Sequence, residues 1–312
     1  MDVVIFNITY DASVNSAPAG FTSAIAAAVQ YFQNQFTDTV TININVGYGE
    51  VAGQSLGSAL GASLTFLNTY SYSQVKGALG TDSKSADDAT AVGSLPSTDP
   101  TSGGHFWVAT AEAKALGLLG SNSSVDGYVG FSNTATFDYD NSNGVAAGQY
   151  DFYGVFAHEI TEVMGRQLLV GGTIGSTPNG YEPLDLFHYS AQGVRSFVGT
   201  QSGYFSINGG STNLDNFNTD PSGDFGDWAA SAGNDSFLAF GNSGVVNTVT
   251  QTDIREMDVL GYDVANLQPD LTSYVATTSP TVAAGGSVTL DSWVSNQGSG
   301  VAPGSTTGFY LS

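Results

Sequence analysis

The chain has 312 residues, with 28 Asp+Glu against 6 Lys+Arg, a formal net charge of −22, 41% hydrophobic residues and no Cys. So few cations argue against nucleic-acid binding and against polybasic membrane attachment, since both need Lys and Arg to meet phosphate. The lack of Cys excludes thiol catalysis, disulfides and thiolate metal sites, while the apolar share is too high for a disordered acidic tail.

Residues 3–10, VVIFNITY, are rich in β-branched and aromatic types and predict a strand. After Pro18 and Gly20, apolar residues at Phe21, Ile25, Ala28, Val29, Phe32 and Phe36 recur at helical spacing and predict a helix over 21–36. Residues 39–46 alternate with period two, as a second strand does. A short helix is expected at 71–79, a Ser/Asp/Pro/Gly loop around 82–103, a strand at 105–110, a short helix or turn at 111–119 and a strand at 125–131. Next comes a chemically distinctive segment at 151–165, with a helix after the apolar run GVFA and before MGR, then a Gly/Asn/Ser/Asp-rich stretch with a short strand at 203–207. The last helix is expected over 252–263, capped by Thr252. Strands and helices mix without regular alternation, so the expected class is α+β rather than a doubly wound sheet.

No run approaches the roughly 18 apolar residues of a membrane span, so no membrane insertion is expected. The start has no basic region leading into an apolar stretch and a small-residue cleavage site. The chain stops at GFYLS inside a strand-like run. Together these read as a piece of a longer protein whose secretion signal lies elsewhere. An acidic, Gly-rich, Lys-poor composition fits an extracellular location.

The sharpest chemistry lies in residues 151–166, DFYGVFAHEITEVMGR. His158 and Glu162 are four apart, so a helix projects them from one face. Glu159 lies beside them. This is the spacing of the HExxH zinc helix with its second His replaced by Glu, and a carboxylate is an acceptable zinc ligand. The replacement makes the site more anionic and an attacking water less acidic. Of only six Glu and three His, Glu159, Glu162, Glu182, His158 and His188 fall between 158 and 188.

With TVTININVGYGEV, AEAKALGL, DGYVGF, HEITEVMGR, PLDLFHYS, YFSINGG and DVLGYD, residues 3–265 resemble secreted bacterial metalloproteases of the zincin, metzincin-like, group. The resemblance implies a mixed sheet, two long helices with the second carrying zinc, and cleavage of protein or peptide substrates. Glu159 would be the general base. Gly165 falls where metzincin helices bend. The family's third ligand would be ten residues after the first, but Leu168 stands there and cannot bind zinc. The family's Met-turn would fall at SFLAFG, 236–241, which has no Met. Within PLDLFHYS, Asp185 and His188 are near-equal candidates for the third ligand, and Glu182 is a weaker one. Tyr181 and Tyr189 are candidate oxyanion stabilisers. The alternative to a peptidase is a catalytically silent zincin-like domain serving adhesion or matrix binding.

Other patches are read more plainly. His105 reads as structural. Asp138, Asp140 and Ser142 alternate as in a calcium loop but lack its Gly and terminal Glu. In DPSGDFGD, Asp220, Asp224 and Asp227 offer a calcium site as an alternative to a solvated acidic loop.

A boundary is expected near Asn266–Pro269, giving domains 1–266 and 267–312. Beyond it, PDL, GGSVTL, VSNQGSG and FYLS resemble the first strands of a CARDB-type immunoglobulin-like module, of which only about half would be present.

Overall fold

Helical spacing after Gly20 produces α1, Phe21–Gln35, which buries Phe21, Ala24, Ile25, Ala28, Val29 and Phe32 along one face. The structure, a computed structural model, describes residues 3–265, 271–277, 290–296 and 306. The chain divides into two compact units, Met1–Val264 and Ala265–Ser312.

The first unit is mixed α+β. Its main sheet runs β1 (Ile5–Tyr10), β2 (Thr41–Tyr48), β6 (Gly127–Phe131) and β3 (Gly61–Thr65). β1, β2 and β6 are mutually parallel, with Ile5 opposite Thr41 and Ile44 opposite Gly127. β3 is an antiparallel edge strand that sets Gly61 opposite Phe131. A second sheet joins β4 (Leu67–Tyr70), β5 (His105–Ala109), β7 (Gly172–Ile174) and β8 (Thr177–Tyr181) in the order β7-β8-β5-β4. A third, built on β9 (His188–Ala191) and β11 (Tyr204–Phe205), carries β10 (Val194–Arg195) and β12 (Asp215–Asn216) at its edges.

The remaining α-helices among the described residues are α2 (Tyr72–Asp82), α3 (Ala86–Ser94), α4 (Thr110–Ala115), α5 (Phe152–Val163) and α6 (Gln251–Val259). Among the described residues, no helix is long and apolar enough to cross a membrane. α5 packs on β3, β6 and α1. Its Phe152 and Phe156 rings lie 5.0 and 5.7 Å from Phe131 of β6, and Phe152 lies 5.1 Å from Phe21 of α1. Each such buried ring contributes roughly 1.5–3 kcal/mol. The core therefore fixes the apolar face of α5 and leaves its polar face turned away.

Three local expectations are corrected. The loop expected at 82–103 contains α3, because Ser85 and Asp88 form a capping box that starts a helix there. α6 is capped by Thr250 rather than Thr252, through the equivalent box with Asp253. The strands β3 and β4 form where no element was expected, since Gly, Ser and Asn dilute the alternation of 61–70.

In the second unit, β13 (Leu271–Thr277) and β14 (Leu290–Asn296) pair antiparallel, with Leu271 opposite Asn296. The expected boundary at 266–269 and most of GGSVTL, VSNQGSG and FYLS lie outside the described residues.

Candidate metal centre

Asp151 starts α5 as its N-cap, accepting from the Tyr153 N–H at 3.0 Å. Phe152, Phe156, Ile160 and Val163 recur every turn and are buried in the core. His158, Glu159 and Glu162 are left on the flank of that stripe. The helix stops at Gly165, whose φ of +110° suits glycine. There the Gly165 N–H reaches Glu162 O and the Arg166 N–H reaches Thr161 O, both at 3.0 Å. This paired C-terminal closure reverses the chain and brings the Arg166 side chain back beneath the helix.

Three donors converge. His158 Nε2 lies 3.3 Å from Glu162 Oε1 and 3.4 Å from Asp227 Oδ1. One donor atom from each of the three residues lies within 4.8 Å of the others, so the group can hold a metal ion. A tetrahedral ion with bonds of about 2.0–2.2 Å would set its donors roughly 3.3–3.6 Å apart. The two His158 spacings match that edge length. His158 Nδ1 donates to Ser236 O at 3.0 Å, which leaves Nε2 as the atom facing the carboxylates. Ser63 of β3 donates to Glu162 Oε2 at 2.7 Å, holding Oε1 toward the cluster. The donor set is one imidazole and two carboxylates, a combination that zinc accepts.

Arg166 is the buried counter-charge. Its guanidinium lies 2.7 Å from Asp227 Oδ1 and 3.6 Å from Glu162 Oε1, with Phe237 stacked 4.3 Å away. Replacing the second His by Glu does add a negative charge, but the cation beside it offsets that charge.

The electrostatics follow from burial and proximity. Burial works against a charged His158, yet Asp227 and Glu162 outweigh it and push its pKa up to about 10. Burial would raise Glu162, but His158, Arg166 and Ser63 hold it down at about 2. Glu159 is raised well above the carboxylate range by burial and by the neighbouring Glu162. Asp224 is pushed up to about 6 by burial, with Glu162 and Asp227 adding repulsion.

The cluster opens on a cavity of about 840 Å³. One wall is 58–63 around the edge strand; the others come from α5, the 222–227 loop and residues 235–242. Glu159 lies in this cavity against Gly61, where a Cβ would overlap its carboxylate. The Met-less stretch 236–241 does flank the site. Its Ser236 carbonyl orients His158, and its Phe237 covers Arg166.

Asp185 and His188 are not brought to the cluster. Asp185 is fully buried and accepts the N–H groups of Leu169, Val170 and Glu182 at 3.1, 2.9 and 2.7 Å. Its lone pairs hold the chain that leaves α5. His188 Nδ1 donates to Ser196 O at 2.8 Å, and its Nε2 packs so tightly on Gly203 that a Cβ there would overlap it. The third position beside His158 and Glu162 is taken by Asp227 instead. Glu182 is also buried elsewhere, at the start of the 183–187 turn. Neither Tyr181 nor Tyr189 lines the cavity, whereas Tyr150 does. The acidic loop does not gather its three aspartates: Asp220 caps Ser222 at the exposed turn, while Asp224 and Asp227 face the cavity.

No protein-family model, curated protein or solved structure matches the chain.

Proposed function

We propose that the first unit is a secreted zinc-dependent endopeptidase acting on protein or peptide substrates. The observation that carries this reading is the convergence of His158 Nε2, Glu162 Oε1 and Asp227 Oδ1 at zinc-like spacing, with Glu159 beside them in one cavity. His158, Glu162 and Asp227 would hold the metal. A bound zinc would supply Lewis-acid polarisation and make water a nucleophile near neutral pH. Glu159, its raised pKa lowered by a dication held beside it, would then take the proton of the attacking water and deliver it to the leaving amine nitrogen. Arg166 acts through its partners, orienting the Asp227 carboxylate by a charge-assisted hydrogen bond and attracting Glu162 by an ionic contact at 3.6 Å. Among the described residues β3 pairs only with β6, so its other edge suits an extended peptide added as a further strand along the cavity.

The test is Glu159→Gln in the full chain. Zinc content after dialysis stays at the parent level, while casein cleavage falls by about 10²–10⁴-fold. Near-parental cleavage by this variant would remove Glu159 as the base.

A second reading, a catalytically silent zincin-like domain in an adhesion or matrix-binding protein, draws on one observation. Glu162 and Asp227 already have partners within the chain, in His158 at 3.3 and 3.4 Å and Arg166 at 3.6 and 2.7 Å. Retained zinc with chelator-sensitive cleavage separates the peptidase from this silent form.

A further inference from the structure

A second carboxylate cluster joins three segments that are far apart in sequence. Asp38 follows α1, Asp82 ends α2, and Asp263 follows α6. One carboxylate oxygen from each lies within 4.8 Å of the others. Asp38 and Asp263 are only 6% and 5% exposed, and among the described residues Asp38 Oδ2 and Asp263 Oδ1 have no hydrogen-bond partner. Buried carboxylate oxygens are normally paired or bound to metal, because desolvating them alone is unfavourable.

The cation touching this cluster is Lys84, whose Nζ meets Asp263 Oδ2. Its side chain is 67% exposed, so it caps the cluster from solvent rather than filling it. With one ammonium against three carboxylates, burial and the neighbouring Asp263 push Asp38 up to about 8 and Asp82 up to about 7. The surrounding backbone is fixed. The Thr37 N–H and Oγ1–H both donate to Asp263 O, at 2.8 and 3.2 Å, and Phe36 bridges to Val264. Gly261, with φ of +105°, makes the turn that brings Asp263 to Asp82.

We propose that Asp38, Asp82 and Asp263 form a calcium site that ties the chain leaving α6 to the ends of α1 and α2. The donors are all hard carboxylate oxygens, with no nitrogen or sulfur to favour zinc. Calcium takes six to eight oxygens in flexible geometry, so water completes the shell on the half-exposed Asp82 side. The site shares no residue with the His158 cluster and does not depend on peptidase activity.

The test uses the full chain, stripped with chelator and titrated with calcium chloride alone. At calcium about a hundredfold above its Kd, the melting temperature should rise by roughly 5–10 °C. Asp82→Asn should abolish that rise and leave zinc content unchanged. Lys84→Met removes the competing ammonium from an exposed position and should tighten calcium binding about two- to fivefold. No rise in the parent at about 10 mM calcium, well above the range of extracellular sites, overturns the proposal. An undiminished rise in Asp82→Asn, or calcium binding that is unchanged or weaker in Lys84→Met, overturns it equally.

Discussion

Asp227→Ala strikes the cluster twice, because Asp227 is both a donor beside His158 and the main partner of Arg166. The Arg166 side chain is fully buried, and its contact with Asp227 Oδ1 is 2.7 Å. Removing one partner of a buried ion pair typically costs about 3–5 kcal/mol, since the other charge is stranded. Glu162 remains 3.6 Å from the guanidinium and softens the loss. The expected cost is therefore near the lower end, about 3 kcal/mol, or roughly 6–12 °C in melting temperature for a unit of this size. Zinc affinity should fall by more than the roughly 10–100-fold seen when only an orienting partner of a ligand is lost. Asp227→Asn keeps an acceptor for Arg166, so it should lose zinc comparably while losing less stability. Metal content after dialysis and thermal melts with and without chelator measure both effects. Asp185→Asn and His188→Gln serve as controls that keep zinc. Stoichiometric zinc in folded Asp227→Ala, or zinc lost from folded His188→Gln, would refute the assignment of the third donor.

Two further outcomes rest on other parts of the first unit. Asp258 is pushed up to about 7 from an ordinary 3.8 by burial, against a bond from Ser85, with Asp88 adding repulsion. A raised carboxyl binds its proton more tightly in the folded state, so its contribution is full at acid pH and is lost as pH rises from about 4 through about 7. Melts across pH 4–8 should show that decline, and Asp258→Asn should flatten it and raise the melting temperature at pH 8; an unaltered profile would locate the titration elsewhere. Gly165→Ala should cost at least about 1–2 kcal/mol for a left-handed residue, since Gly165 has φ of +110° and a Cβ there would meet Glu112 Oε2 at 2.6 Å. Denaturant unfolding measures that cost, and a neutral result would mean that the end of α5 tolerates another closure.

The sequence alone determined what backbone geometry makes local. Apolar residues at helical spacing defined α1, and the i, i+4 relation put His158 and Glu162 on one face of α5 whatever the rest of the fold does. The Cys-free composition removed thiolate from any metal donor set. Tertiary structure decided the rest. Asp185 and His188 lie nearer in sequence and have suitable chemistry, but Asp185 is taken up by three backbone N–H groups and His188 by Ser196 O and Gly203. Asp227 is visible in the sequence only as one acid in a Gly-rich loop, because no period links a helix to a loop that crosses it some 65 residues later. Arg166 likewise carries no local signal of its role; only the turn at Gly165 brings it under the helix. A helix can set two donors one turn apart by itself. The third donor and the counter-charge depend on which segments the packed core forces together, and that is a property of the whole chain.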